Sequence, residues 1–240
     1  MNMRIFALLY GPHHALHRRL LRGFASSVPK SVPLTLWLNG VPDSTRRSID
    51  FELDGFQVLT FDRKNENVHK YVAMRTMFQG FKETAASGEG KAFPEDWAVW
   101  FDDDSHIART SWYSGVRAYS LAHPGARYIG QPWFVHWRRG QWDWVVKQPW
   151  YSGLSSEIIN GKPGVSFAQG AYWLLRSDAI RDLDWPLNLD HNGGDVMLGE
   201  ACRQRGFHFH KFYEGVKIND APRRGFAEAP AGCVDRGMRV

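Results

Sequence analysis

Cysteine is scarce: the 240 residues contain two, Cys202 and Cys233. Two thiols do not make the disulfide framework on which small secreted domains rely, so a reducing, cytoplasmic setting is expected. No apolar run approaches the ~20 residues that cross a bilayer, and the mean hydropathy is below zero, at −0.42. A membrane-spanning protein is therefore excluded. Met1 to Tyr10 has neither a basic segment leading into a long apolar stretch nor a small-residue cleavage site, so no secretory signal is expected there. Internal repeats and long low-complexity stretches are missing too. Acidic residues are outnumbered, 25 against 30 Lys and Arg, which gives a net charge of +5 and a pI near 9.3. So mild an excess permits an anionic partner without requiring one.

Aromatic and aliphatic residues are plentiful. Hydrophobic residues make up 43% and aromatics 14% of the chain, with eleven tryptophans. This excludes disorder and supplies one sizeable core. Arg4 to Tyr10, Leu34 to Leu38, Phe56 to Phe61 and Trp97 to Phe101 read as strands. Helices are expected from about Ala15 to Ala25 and from Asn67 to Phe81. Strands without alternation, separated by helices, imply a mainly parallel sheet covered on both faces. Beyond Ile107 a helix to Tyr119 is expected, then an aromatic, turn-rich stretch from Tyr128 to Ser152, in which Trp142-Asp143-Trp144 suits an amphipathic strand. Phe167 to Leu175 reads as a strand, Ser177 to Leu183 and Gly194 to Arg205 as helices, and His208 to Phe212 as a short strand. The expected fold class is α/β, with a mixed, mainly parallel Rossmann-like sheet in a single domain over 1–220. A Pro-, Gly- and Arg-containing tail follows at 221–240.

Ligands of such sheets bind beyond the carboxyl ends of the strands. There, directly after Trp97 to Phe101, stand Asp102, Asp103 and Asp104. Consecutive carboxylates repel one another, and a divalent cation with a taste for hard oxygen ligands relieves that repulsion. Period two puts Asp102 and Asp104 on one side and Asp103 on the other. The competing reading is a solvated acidic turn. The lack of any polar residue in the preceding strand favours Mn²⁺ or Mg²⁺ on Asp102 and Asp104.

Phe101-Asp102-Asp103-Asp104 at the end of a buried strand resembles the Asp-x-Asp motif of glycosyltransferases with the GT-A fold. Two further blocks follow in the order of the Fringe-like and β-1,3-glycosyltransferase branch. Phe167-Ala168-Gln169-Gly170-Ala171-Tyr172-Trp173-Leu174-Leu175-Arg176-Ser177 resembles that branch's Gly-rich strand and following helix. Gly194-Asp195-Val196-Met197-Leu198-Gly199, with Cys202 and Gly206 behind it, resembles its Glu-Asp-Val-x-x-Gly segment, except that Gly194 stands where the branch has Glu. The blocks lie between residues 97 and 212. The part before them matches only as a nucleotide-binding strand-helix pattern. The resemblance implies a metal-dependent, inverting transfer from a nucleoside-diphosphate sugar, UDP-sugar favoured, with Asp195 as general base and a late histidine, best His210, as a further metal ligand.

The residues carry these roles unevenly. An acceptor hydroxyl must lose its proton to a carboxylate as it attacks the anomeric carbon. Asp195 suits that task, and suits equally the N-terminal turn of a helix, where it offsets the macrodipole. His208 and His210 point to one face of their strand, as metal ligands or as surface histidines. On the donor side the fold points to Tyr10 and Gly11 at the end of the first strand, joined by Asp102 and Asp103, while His13, His14 and His17 lie nearby. Lys70 and Arg75 either neutralise phosphate or line a solvated helix face. They are five positions and roughly 140° apart on their helix. Eight of the eleven tryptophans fall between Trp97 and Trp150. Among them Trp133 and Trp137, with Arg138 and Arg139, suit stacking on an acceptor as well as they suit packing. Gly170 and Ala171 belong to the same acceptor side.

For the acceptor, the basic balance with Arg138-Arg139 and Arg223-Arg224 favours a hydroxymethylated base in DNA. A bacterial saccharide or lipid-linked sugar is the alternative. A metal-dependent nuclease has no use for the Gly-rich segment, and a sugar- or nucleic-acid-binding module without catalysis has none for the triplet.

Overall fold

Apolar runs such as Ile5 to Leu9 and Trp97 to Phe101 have no polar side to offer water, so they form strands covered on both faces. The computed structural model describes residues 2–63, 68, 70–84, 95–182 and 194–218. The expected tail at 221–240, with Arg223 and Arg224, lies outside the described residues. In chain order the elements are β1 (Met3–Tyr10), α1 (His14–Ser27), β2 (Leu34–Asn39), α2 (Asp43–Glu52), β3 (Val58–Arg63), α3 (Lys70–Thr84), β4 (Trp97–Asp102), β5 (His106–Ile107), α4 (Trp112–Ala122), β6 (Tyr128–His136), α5 (Gln141–Val145), β7 (Glu157–Ile159), β8 (Lys162–Arg176), α6 (Ser177–Asp182), α7 (Gly194–Gln204), β9 (Phe209–Lys211) and β10 (Val216–Lys217).

The main sheet runs β3-β2-β1-β4-β8-β6-β9, with β7 attached to β8. A separate ribbon pairs β10 with β5. The first four strands are parallel, β8 is antiparallel to both β4 and β6, and β9 returns parallel to β6. This is the mixed α/β sheet that the sequence led us to expect. It has a core on each face. Phe6, Trp100 and Trp173 pack with α3 and α7 on one side. Ile5, Val99, Phe101 and Tyr172 pack with α1 and α4 on the other. The stacked Trp100–Trp173 pair, ring centroids 5.9 Å apart and 11° from parallel, anchors the first core beneath β4 and β8.

Two sequence expectations change, and one helix was not expected. Trp142-Asp143-Trp144 lies in the short helix α5, because Trp142 and Trp144 both fold back onto the first core. Phe167 to Leu175 is the inner part of a strand fifteen residues long. Helix α2, the unexpected one, buries only Thr45 and Ile49.

The irregularity in β8 matters most. Gly130 pairs with Trp173, yet Pro132, two residues on, pairs with Ala168, five residues back. Three residues of β8, Gln169 to Ala171, are therefore extra. They bulge where pairing with β4 ends at Tyr172, beside the acidic triplet. Bulges commonly re-aim groups at a sheet's rim.

Candidate active site

The bulge, the end of β4 and the first turns of α3 and α7 meet at one point. The Lys70 ammonium donates to Asp102 Oδ2 at 2.8 Å and to the Gly170 carbonyl at 2.7 Å, and lies 3.7 Å from Asp195 Oδ1. Tyr71 donates its hydroxyl to the same Asp195 oxygen at 2.6 Å, and the Trp100 indole N–H donates to Asp102 Oδ1 at 2.8 Å. Three elements distant in sequence thus hold two carboxylates around one cation.

Two glycines make this possible. A Cβ on Gly170 would stand 1.9 Å from Asp195 Oδ2, and one on Gly194 would stand 2.1 Å from Tyr71 Cζ. The Gly-rich bulge is thus a seat for the Asp195 carboxylate, and Gly194 makes room for the phenol that orients it. Glutamate at 194 would drive its own Cβ into that ring.

The electrostatics are those of a crowded, half-buried anionic site. Burial pushes the Asp102 carboxyl up to about 6; Lys70 pulls it down, and Asp104 and Asp195 add to the rise. Burial works against charge on Lys70, but Asp102, Asp195 and Asp104 together outweigh it and raise its pKa. Burial, then the charge of Asp195, lift the Tyr71 phenol well above its usual value, so it stays a donor.

The middle carboxylate has another task. Asp103 is 1% exposed. Its Oδ2 accepts from the Tyr10 backbone N–H at 2.9 Å and lies 3.0 Å from His17 Nε2, while His17 Nδ1 lies 2.9 Å from Thr45 Oγ1. Asp103, expected on the donor side, and His17 therefore brace the ends of β1, β4 and α1 from within. Tyr10 and Gly11 do lie at the sheet's rim, with Gly11 N–H on the Asn39 carbonyl at 2.9 Å. Arg75 is half-buried, about 7.5 Å further along α3 than Lys70.

His210 is not brought to the triplet. Its ring lies 5.6 Å from that of His123 and 6.5 Å from that of Tyr119, on the α4 side of the sheet, whereas Trp100 and Asp102 belong to the α3 side. On the expected acceptor side Ala171 is buried beside Gly170, while Arg138 and Arg139 are exposed. Trp133 is 55% exposed. Trp97, Trp100, Trp112 and Trp150 are core, and Trp137, Trp142 and Trp144 pack partly against it, so most of the tryptophan excess is packing.

The sequence reading passed over Tyr71 and Asn39. Tyr71 adjoins a residue already singled out. Asn39 ends β2 at the same rim as the triplet, so the rule that located one locates the other. Its amide clamps a single residue, donating to the Val68 carbonyl at 2.7 Å and accepting the Val68 N–H at 2.8 Å.

No protein-family model matches the sequence, and no curated protein does. Solved structures resemble the fold. S. aureus TarS 1-349 aligns over 89% of this chain and 58% of its own, with a TM-score of 0.57 at 11% identity. The same protein in complex with UDP-GlcNAc aligns over 93% and 62%, at 0.53 and 11%. A nucleoside-diphosphate-sugar pyrophosphorylase from Vibrio cholerae RC9 aligns over 92% and 96%, at 0.50 and 11%. This chain thus spans 58% of the length of TarS 1-349. At such identities the fold is what is shared, and these neighbours do not single out the Fringe-like branch. The chain has a GT-A-like fold, one that its neighbours use to handle nucleotide sugars.

Proposed function

We propose that this chain is an inverting glycosyltransferase that moves a sugar from a nucleoside-diphosphate sugar, a UDP-sugar foremost, to an acceptor hydroxyl. The observation that carries this is the meeting of Asp195, Lys70 and Asp102 at the carboxyl end of β4, with Asp195 seated against the Gly170 bulge. The UDP and UDP-GlcNAc complexes of TarS support the donor class.

Among the described residues Tyr71 and Lys70 engage Asp195 Oδ1, which leaves Oδ2 for the incoming hydroxyl. That oxygen takes the proton as the acceptor attacks the anomeric carbon from the face opposite the diphosphate. The bond from carbon to diphosphate breaks as the new bond forms, and the anomeric centre inverts. Tyr71 and Lys70 fix the base. Trp100 and Lys70 fix Asp102.

We infer that Mn²⁺ or Mg²⁺ binds here. Asp102, Asp104 and Asp195 all act electrostatically on the Lys70 ammonium, so hard, negative oxygen is at hand. Asp104 and Asp102 would hold the ion. No group of three His, Cys, Asp or Glu ligands gathers among the described residues, so phosphate and water oxygens would complete its shell, as is usual for Mg²⁺. When bound, the ion supplies screening of the diphosphate charge.

The favoured acceptor is a hydroxymethylated base turned out of DNA, with exposed Trp133, Arg138 and Arg139 beside the β6–β8 ribbon available to it. Calorimetry with UDP, with and without Mn²⁺, followed by a screen of UDP- and GDP-sugars against hydroxymethylated DNA and saccharides, tests the reading. Metal-enhanced UDP affinity and transfer are expected. No nucleotide affinity under either condition would overturn it.

A further inference from the structure

A second charged feature lies across the sheet from this centre. Helix α1 and the segment that continues β4 past the triplet into β5 enclose a groove of about 670 Å³. Its polar lining is His14, Arg18, Arg19, Arg22, Ser26 and His106. No acidic residue lines it, and no aromatic ring apart from imidazole. Arg18 and Arg22 are one turn apart, so they share a helix face about 6 Å from each other along the axis. Both are well exposed, at 46% and 56% of the side chain. Each gives its Nε to one oxygen, Glu52 Oε1, at 3.1 and 2.9 Å. One carboxylate thus orients two guanidinium forks and neutralises only one of them.

The groove is too roomy for a single phosphate, and its cations succeed one another along a helix. It offers no Phe, Tyr or Trp ring as a platform for a base. It opens two residues beyond Asp104, at His106. We infer that this groove holds the phosphodiester backbone of the DNA acceptor, reading charge and not sequence, while the base is processed on the other side of β4. The inference rests on the DNA-acceptor reading above. It moves the main backbone contact from Arg138 and Arg139 to α1, a surface that no sequence motif marked.

Anisotropy of a fluorescein-labelled DNA duplex, followed across a salt series on duplexes of different sequence, tests it. Affinity should be the same for all sequences and fall steeply with salt. Arg18→Ala/Arg22→Ala should weaken every duplex about tenfold and reduce the log–log salt slope by about two. Arg18→Lys/Arg22→Lys, which keeps both charges, should retain the slope. UDP affinity should survive both substitutions. Failure of the unsubstituted protein to bind UDP would sink the transferase reading and leave the salt slope interpretable on its own. The inference is overturned if the alanine pair keeps affinity and slope, or if only Arg138→Ala/Arg139→Ala loses them. Loss of UDP affinity with the alanine pair would also overturn it.

Discussion

Gly170→Ala isolates the seat of Asp195. The added methyl would lie 1.9 Å from Oδ2, 2.1 Å from Cγ and 2.2 Å from Oδ1, far inside van der Waals contact, so the carboxylate must swing away. A carboxylate is the movable end of a short side chain, so the fold should lose only about 1–3 kcal/mol, the usual cost of overpacking. For a chain of this size that is a fall in Tm of roughly 2–4 °C per kcal/mol. Transfer should fall about 10²–10⁴-fold, the contribution of a positioned base, while UDP affinity stays within about threefold because the end of β4 is untouched. Gly125→Ala is the control. Nothing lies within 4 Å of its Cβ position, and it should change stability by less than about 0.5 kcal/mol. Melting curves, UDP calorimetry and initial transfer rates on the three proteins decide the matter. A folded Gly170→Ala protein that transfers at the unsubstituted rate would show that Asp195 is not the base, or that the bulge does not seat it.

Gly194→Ala should destabilise more than Gly170→Ala, because its methyl meets a buried ring that has nowhere to go; comparative melting reads this directly. Asp195→Asn should keep UDP binding and lose transfer about 10²–10⁴-fold, and retention of transfer would assign the base elsewhere. Asp104→Ala should abolish the increment in UDP affinity that Mn²⁺ gives, measured by titration in chelator and then in metal. Because the folded-state pKa of Asp102 is raised, from its ordinary value near 3.8 to about 6, its protonated form stabilises the fold at low pH. That contribution is lost as pH rises from about 4 through 6, and in chelator the difference in stability between the native protein and Asp102→Asn should track it. The Cys202 thiol is fully buried and its pKa is pushed up by that burial. Mass mapping should find it unalkylated by iodoacetamide near pH 8 in the folded protein and modified in urea.

The central strands were readable because residues buried on both faces leave an unmistakable apolar signature, and the triplet because three carboxylates at such a strand's end are electrostatically costly. Length and handedness of pairing were not. Nothing local in Lys162 to Arg176 says that one strand lies antiparallel between β4 and β6, or that Gln169 to Ala171 loops out of register. The donor side was read by distance along the chain, which says nothing of direction. Asp103 turns inward, where its carboxylate meets the His17 ring and the Tyr10 backbone N–H. His210 follows β9 to the far face because Tyr119 and His123 offer it rings to pack on. Helix α2 escaped notice because only two of its ten residues, Ile49 and Phe51, are apolar.

The Asn39 clamp ties distant parts together. Both functional atoms of one amide are spent on Val68, two residues ahead of the lysine that grips Asp102. The angle at which α3 enters is consequently decided at β2, two strands removed from β4. Trimming Asn39 to alanine touches no reacting group, yet it would let Lys70 and Tyr71 drift together. The placement of both side chains is thus set from a distance, at the rim of the sheet.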